Sequence, residues 1–269
     1  MQLVSERAAA TSERAQAPEI AADKANAAAI NALFRDPGAF VIRAFFTPDE
    51  IATLQQIAKL VFAIADAAVS SAPADLLADD FAGGLRVGYI SWPRMNALLQ
   101  AAAPKLHGRL TAICERTRSI GSACYGGGQV RQLDNFNLIR RHRKNRAPDE
   151  LTTVPWHRDF TFTSPAGYME SMNCWVPTVD VGGQFPSLDL ILGSHSAMTG
   201  KPDESPGITQ LSPAFVAAQL GHLEQCTPHC APGDMIVFDH HTVHRTQPLS
   251  FAADRISFEF RWAPAQPAT

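Results

Sequence analysis

The chain has 269 residues, charged residues make up 18% of it and its net charge is −3. That length suits one large domain, which buries most of its unfolded surface without a disulfide or metal staple. The absence of a basic excess argues against a general nucleic-acid binder, and no apolar run reaches the ~18 residues of a membrane span. The five cysteines form no regular framework and read as reduced thiols of a cytoplasmic protein.

Residues 1–30 are an Ala-rich N-terminal extension. They lack the basic start and apolar core of a secretory signal. Residues 31–269 are then expected to form a single domain. Phe40 to Phe46 is rich in β-branched and aromatic residues and predicts a strand. Thr47-Pro48-Asp49-Glu50 opens a helix through a capping box with proline at its first position. Ile51, Leu54, Ala58, Val61 and Phe62 follow at helical spacing and should pack on the outside of a sheet. Asp79, Asp80, Gly83 and Gly84 mark a loop, and Leu85 to Trp92 reads as extended. Arg86, Tyr89, Trp92 and Arg94 lie in this part.

A helix is predicted from Lys105 to Arg118, with Leu106, Leu110 and Ile113 on one face and Gly121 ending it. Gly126-Gly-Gly128 is a turn, without the Lys-Ser/Thr of a phosphate loop. Short strands with turn signals come next. They are Leu133–Ile139, Trp156–Phe162, Met172–Pro177, Leu188–Leu192, Met235–Phe238 and Arg255–Trp262. The basic run Arg140 to Arg146 reads as a solvated loop. Ser212-Pro213 caps a short helix that ends near Gly221. Cys226-x-x-His229-Cys230 lacks a fourth zinc ligand and reads as a strand before the Pro232-Gly233 turn. The fold class is mainly β with flanking helices, a jelly roll or barrel.

Within these strands, His157-x-Asp159 places an imidazole and a carboxylate on one face, because residues i and i+2 of an extended chain point the same way. His244 is the favoured third ligand. Two His and one carboxylate on one side of a metal leave the opposite positions open, the pattern of non-haem iron(II) oxygenases. His240 and His244 are also i and i+4, which on a helix would make a zinc pair. The β-rich run before them and the missing Glu argue against that reading. Arg255-x-Ser257 follows His244, and a guanidinium beside a hydroxyl is suited to a carboxylate.

His157-x-Asp159, His244 and Arg255-x-Ser257, in that order, resemble the iron(II)/2-oxoglutarate-dependent dioxygenases, and the phytanoyl-CoA dioxygenase-like branch in particular. Trp175-Val-Pro, Pro186 to His195, Pro232-Gly-Asp-Met-Ile-Val-Phe238 and His244-Arg-Thr carry the likeness further, from about residue 37 to 262. The resemblance implies a double-stranded β-helix (cupin-like) with Fe(II) on His157, Asp159 and His244. It implies 2-oxoglutarate as co-substrate, its distal carboxylate on Arg255 with help from Ser257. O2 is the second co-substrate, and succinate and CO2 are released. A polar or basic residue of the preceding strand, Asn137 or Arg140, is expected near 2-oxoglutarate. His195 is expected to be structural or near the pocket. Asp159 stands where halogenases carry a small residue that admits chloride, so halogenation is not expected.

The expected substrate is a small or medium organic molecule: a natural-product intermediate, an amino-acid derivative or an acyl compound. Hydroxylation is the leading outcome, with desaturation, epimerisation or ring formation as alternatives from the same oxidant. A non-catalytic binding protein on the same fold is the rival of a different class. Arg86, Arg94, Arg131 and Arg158 are candidates to meet an anionic group, and Phe160, Phe162, Phe185 and Trp175 to line an apolar pocket. Each is more often a core or surface residue. A homo-oligomer is compatible with all of this.

Overall fold

The computed structural model describes residues 16–71, 88–134, 137–143, 154–159, 163–164, 167–168, 170–197 and 209–265. Its strands are β1 (Glu19–Ala21), β2 (Ala39–Arg43), β3 (Tyr89–Ser91), β4 (Val130–Gln132), β5 (Leu138–His142), β6 (His157–Arg158), β7 (Thr163–Ser164) and β8 (Gly167–Tyr168). They continue as β9 (Met172–Pro177), β10 (Leu188–Ile191), β11 (Thr209–Gln210), β12 (Gln225–Cys226), β13 (Met235–Asp239), β14 (His244–Thr246) and β15 (Arg255–Pro264). The larger sheet runs β1-β2-β13-β9-β15-β5-β3, with β4 also on β15, and the smaller runs β11-β6-β14-β10-β12. The two sheets form an open double-stranded β-helix; β7 and β8 pair as a separate ribbon.

Alternation along the strands builds two different interiors. Phe40 and Ile42 of β2, Met172, Cys174 and Val176 of β9, and Phe258, Phe260 and Trp262 of β15 are all buried on one face of the larger sheet. Helix Pro48–Ser71 packs there through Leu54, Ile57, Ala58 and Val61. By length and composition this helix could cross a membrane, but its apolar stripe is consumed by the sheet, as in the core helix of a globular domain. Burying one such leucine or isoleucine side chain contributes roughly 1.5–3 kcal/mol. The capping box forms as expected: the Thr47 N–H donates to Glu50 Oε2 (2.8 Å) and the Glu50 N–H to Thr47 Oγ1 (3.3 Å). Ser212 likewise caps helix Pro213–Leu220 by accepting from the Phe215 N–H at 3.1 Å.

On the opposite face, Ala39, Val41, Trp175, Ile236 and Phe238 meet Leu188, Leu190 and Cys226 of the smaller sheet. That apolar cluster fills one part of the space between the sheets. Along β15 the residues facing the same way are Arg255, Ser257, Glu259 and Arg261, so the remainder of that space is polar.

Several expectations change. The first strand stops at Arg43, because Ala44 turns left-handed (φ 53°) and Asp234 takes its N–H at 2.9 Å. Gly121 does not end a helix. It lies inside helix Arg118–Cys124, where a Cβ would come 2.9 Å from Trp262 Cβ, so close packing requires the glycine. The strand expected over Leu133–Ile139 is instead β5, starting at Leu138, and Arg140 to His142 belong to it rather than to a loop. Of the extended stretch expected over Leu85 to Trp92, Tyr89–Ser91 is strand β3, and Trp92 already opens the helix Trp92–Ala102, which was not expected. The N-terminal extension joins the fold from Ala17, which is buried, and β1 pairs in parallel with β2. Arg86, Phe160, Phe162 and the loop around Asp79 to Gly84 lie outside the described residues.

Candidate metal and co-substrate site

β6 and β14 are neighbours, with His157 directly opposite His244. Their rings lie 4.1 Å apart between centroids. Asp159 follows β6 by one residue, and its N–H donates to the His240 carbonyl at 2.9 Å, which turns its side chain back towards the two rings. Asp159 Oδ1 is 3.5 Å from His157 Nε2 and 4.0 Å from His244 Nε2. One ligand atom from each residue falls within 4.8 Å of the others, and all three residues are buried. No other such group of three or more His, Cys, Asp or Glu occurs among the described residues.

The tautomers suit metal binding. His157 Nδ1 lies 2.8 Å from the Pro155 carbonyl and His244 Nδ1 lies 2.9 Å from the Thr242 carbonyl. A carbonyl only accepts, so each Nδ1 carries the proton and each Nε2 turns a lone pair to the centre. Burial and the neighbouring His157 ring push the His244 pKa down to about 4, so it is neutral at pH 7. Burial works against charge on Asp159, but the Arg261 guanidinium together with His157 and His244 outweighs it and holds the carboxyl well below the usual carboxylate range. Asp159 Oδ2 accepts from Asn173 Nδ2 (2.9 Å) and Arg261 Nη2 (3.0 Å), while Arg261 Nη2 also meets Glu259 Oε2 at 2.8 Å.

Arg255 lies farther along the same face of β15. Its residue is 1% exposed, yet no carboxylate pairs with it among the described residues. Nη1 donates to Ser257 Oγ (3.3 Å) and Nη2 to His142 Nδ1 (3.2 Å), its guanidinium carbon stands 5.0 Å from the centre of the Trp175 ring, and Nε has no partner among the described residues. Burial, and then the charge of Arg140, lower its pKa to about 9. His142 is pushed down to about 3 by burial and by Arg255 and Arg140, so it accepts as a neutral ring. A buried guanidinium whose described partners are all neutral is costly. The charge of a bound carboxylate would compensate it, so Arg255 is suited to hold an anion.

The other candidates are distributed as follows. Arg140 sits opposite Ser257 in the strand register and holds Glu259 through Nε at 3.4 Å. Asn137 is fully buried and its Oδ1 accepts the Arg261 N–H at 2.6 Å, which ties it to the Arg261 end of β15 rather than to Arg255. Trp175 lies under the Arg255 guanidinium. Phe185 is half-buried beside Phe251, which contacts His142. Arg94 and Arg131 are exposed and Arg158 is buried. His195 lies outside the triad, with Nε2 3.0 Å from the Arg35 carbonyl, and His240 Nδ1 lies 2.9 Å from the Ser171 carbonyl. The cysteines near His229 are buried free thiols.

Four residues escaped the sequence reading: His142, Asn173, Glu259 and Arg261. The signal was present, since Glu259 and Arg261 continue the two-residue step from Arg255 and Ser257, and His142 is one step beyond Arg140.

No curated protein sequence matches the chain. Three similar solved structures illustrate the fold. The epimerase SnoN, in complex with Fe3+, alpha ketoglutarate and nogalamycin RO, shares 18% identity over 89% of this chain and 84% of its own, with a TM-score of 0.61. The alpha ketoglutarate dependent carbocyclase SnoK shares 14% over 91% and 86%, TM-score 0.63. EctD from S. alaskensis, with 2-oxoglutarate and 5-hydroxyectoine, shares 18% over 88% and 75%, TM-score 0.60. The family described as Phytanoyl-CoA dioxygenase (PhyH) matches residues 34–256, most of the sequence. The chain therefore belongs to the phytanoyl-CoA dioxygenase family and is an iron(II)/2-oxoglutarate-dependent oxygenase.

Proposed function

We propose that His157, Asp159 and His244 hold the iron(II) and that Arg255, with Ser257, anchors the distal carboxylate of 2-oxoglutarate. The observation that carries this reading is the buried Arg255 guanidinium, without a carboxylate partner among the described residues, on the wall shared with Glu259 and with Arg261, which reaches Asp159. Iron supplies the activation of O2 that couples decarboxylation of 2-oxoglutarate to oxidation of an organic substrate. The protein's own residues orient the groups. Pro155 and Thr242 fix the two imidazoles, Arg261 and Asn173 fix the carboxylate, and Trp175 and His142 flank the Arg255 guanidinium.

Hydroxylation of a small or medium organic molecule is the leading reaction. Epimerisation and ring closure are the second reading, since the fold is shared with a named epimerase and a named carbocyclase. A cavity of about 730 Å³ begins at the same turn whose His240 carbonyl holds Asp159, and Tyr125, Gln129, Glu170, Asp239 and His241 line it. Its size supports a medium-sized substrate. The test is succinate release from 2-oxoglutarate by the iron-loaded protein, first without substrate and then across a panel of candidates. Slow release that a candidate accelerates supports the reading. No release from protein shown to hold iron favours a binding protein on this fold.

A further inference from the structure

The polar row on β15 leads to one more assignment, which rests on the reading that the triad holds a metal. Arg261 and Asn173 are paired in the strand register of β15 and β9. Both therefore reach Asp159 from the same wall, and both end on Oδ2: Arg261 Nη2 at 3.0 Å and Asn173 Nδ2 at 2.9 Å. Oδ1 is left facing His157 and His244. Arg261 does not belong to Asp159 alone, because the same Nη2 meets Glu259 Oε2 at 2.8 Å. Glu259 in turn holds Arg140 Nε at 3.4 Å, so two carboxylates and two guanidinium groups alternate in a row that ends on the metal-facing carboxylate. All of this lies between the sheets, where charged hydrogen bonds act with little screening.

We propose that Arg261 is a positioning residue for the metal: with Asn173 it occupies Oδ2 of Asp159, presents Oδ1 as a one-oxygen ligand, and thereby sets how tightly the ion is held. For the carboxylate to swing and offer both oxygens, two hydrogen bonds to Oδ2 would have to break. Glu259 competes for Arg261 and so tempers its pull on Asp159. Partners that orient a metal ligand are commonly worth roughly 10- to 100-fold in metal affinity.

The experiment is anaerobic calorimetric titration of the full-length apoprotein with Mn(II) and with Fe(II), comparing wild type, Arg261→Gln, Arg261→Lys, Asn173→Ala and Glu259→Gln. The expected result is a loss of roughly 10- to 100-fold in affinity for Arg261→Gln. Arg261→Lys, which keeps the charge and a donor, should recover part of it. Asn173→Ala should lose affinity as well, and Glu259→Gln should bind at least as tightly as wild type. A role confined to stabilising the fold would instead make Glu259→Gln lose affinity alongside Arg261→Gln, and that result overturns the proposal. If Arg261→Gln does not fold, Asn173→Ala carries the test, because it removes a neutral donor without stranding a charge. Unchanged affinity in it also overturns the proposal. Wild-type protein that binds neither ion refutes the metal reading itself, which separates that failure from this one.

Discussion

Replacing Arg255 with methionine should make the empty protein more stable and the co-substrate-bound protein relatively less so. Arg255 is buried with no carboxylate paired to it among the described residues, and Arg140 adds repulsion. Its compensation is two hydrogen bonds of 3.2 and 3.3 Å and the Trp175 ring at 5.0 Å. Exchanging even a buried ion pair for apolar side chains of similar volume is often neutral or stabilising by about 1–4 kcal/mol, and a gain in that range is expected here. For a domain of this size that raises Tm by about 2–4 °C per kcal/mol. Binding responds in the opposite sense. A charge-assisted contact to the distal carboxylate is worth about 1.5–3 kcal/mol, or roughly 10- to 150-fold in Kd. At a 2-oxoglutarate concentration of 100 times the wild-type Kd, wild type gains about 2.7 kcal/mol, whereas a variant weakened 100-fold gains about 0.4 kcal/mol. The assay is thermal unfolding of Mn(II)-loaded protein under argon, with and without 2-oxoglutarate. The expected signature is a higher Tm for Arg255→Met without the diacid and a much smaller shift on adding it. A variant that is destabilised when empty and yet shows the full ligand shift would refute the reasoning.

Other expectations concern single positions. Gly121→Ala should destabilise by about 1–3 kcal/mol in urea denaturation, because the new methyl would press on Trp262, whose Cβ and Cγ lie 2.9 and 3.0 Å from its ideal position; a neutral result would show that helix Arg118–Cys124 can shift freely. Acid should unfold the metal-free protein early. His142, His240 and His244 are buried neutral, at about 3, 4 and 4, with burial the largest cause in each. Their unfolded pKa is near 6.5, so the unfolded state takes up protons that the folded state cannot. The stability these rings contribute is therefore whole above about pH 6.5 and falls towards pH 4, by up to about 1.4 kcal/mol per pH unit for each ring. Denaturant midpoints that stay flat between pH 7 and 5 would contradict this. His157→Ala and His244→Ala should abolish tight iron binding while His240→Ala keeps it, and equilibrium dialysis would decide; loss of iron in His240→Ala with retention in His244→Ala would reassign the third ligand.

The elements that were legible in the sequence are those whose signal is local. The capping box at Thr47 and Glu50, the strand Met172–Pro177 and the helix after Ser212 need only neighbours in the chain to declare themselves. The triad was legible because spacing of two along a strand fixes the shared face of His157 and Asp159, and the family pattern supplied His244. What stayed hidden depends on partners distant in sequence. Arg140 and His142 look like part of a solvated basic loop until β5 is seen beside β15, where Glu259 and Arg255 meet them. Asn173 and Arg261 acquire a role only when the register places them on Asp159. Gly121 reads as a helix stop until Trp262 is found against it. Register and packing, rather than composition, carry that information.

The most direct measurement is an anaerobic titration of the purified protein with Fe(II) and then 2-oxoglutarate, following visible absorption. The expected result is a weak metal-to-ligand charge-transfer band that grows to one equivalent of each and is lost in His157→Ala, with Arg255→Met requiring much more 2-oxoglutarate to reach it. Iron binding without the band, or a band indifferent to both substitutions, would contradict the site assigned to His157, Asp159, His244 and Arg255.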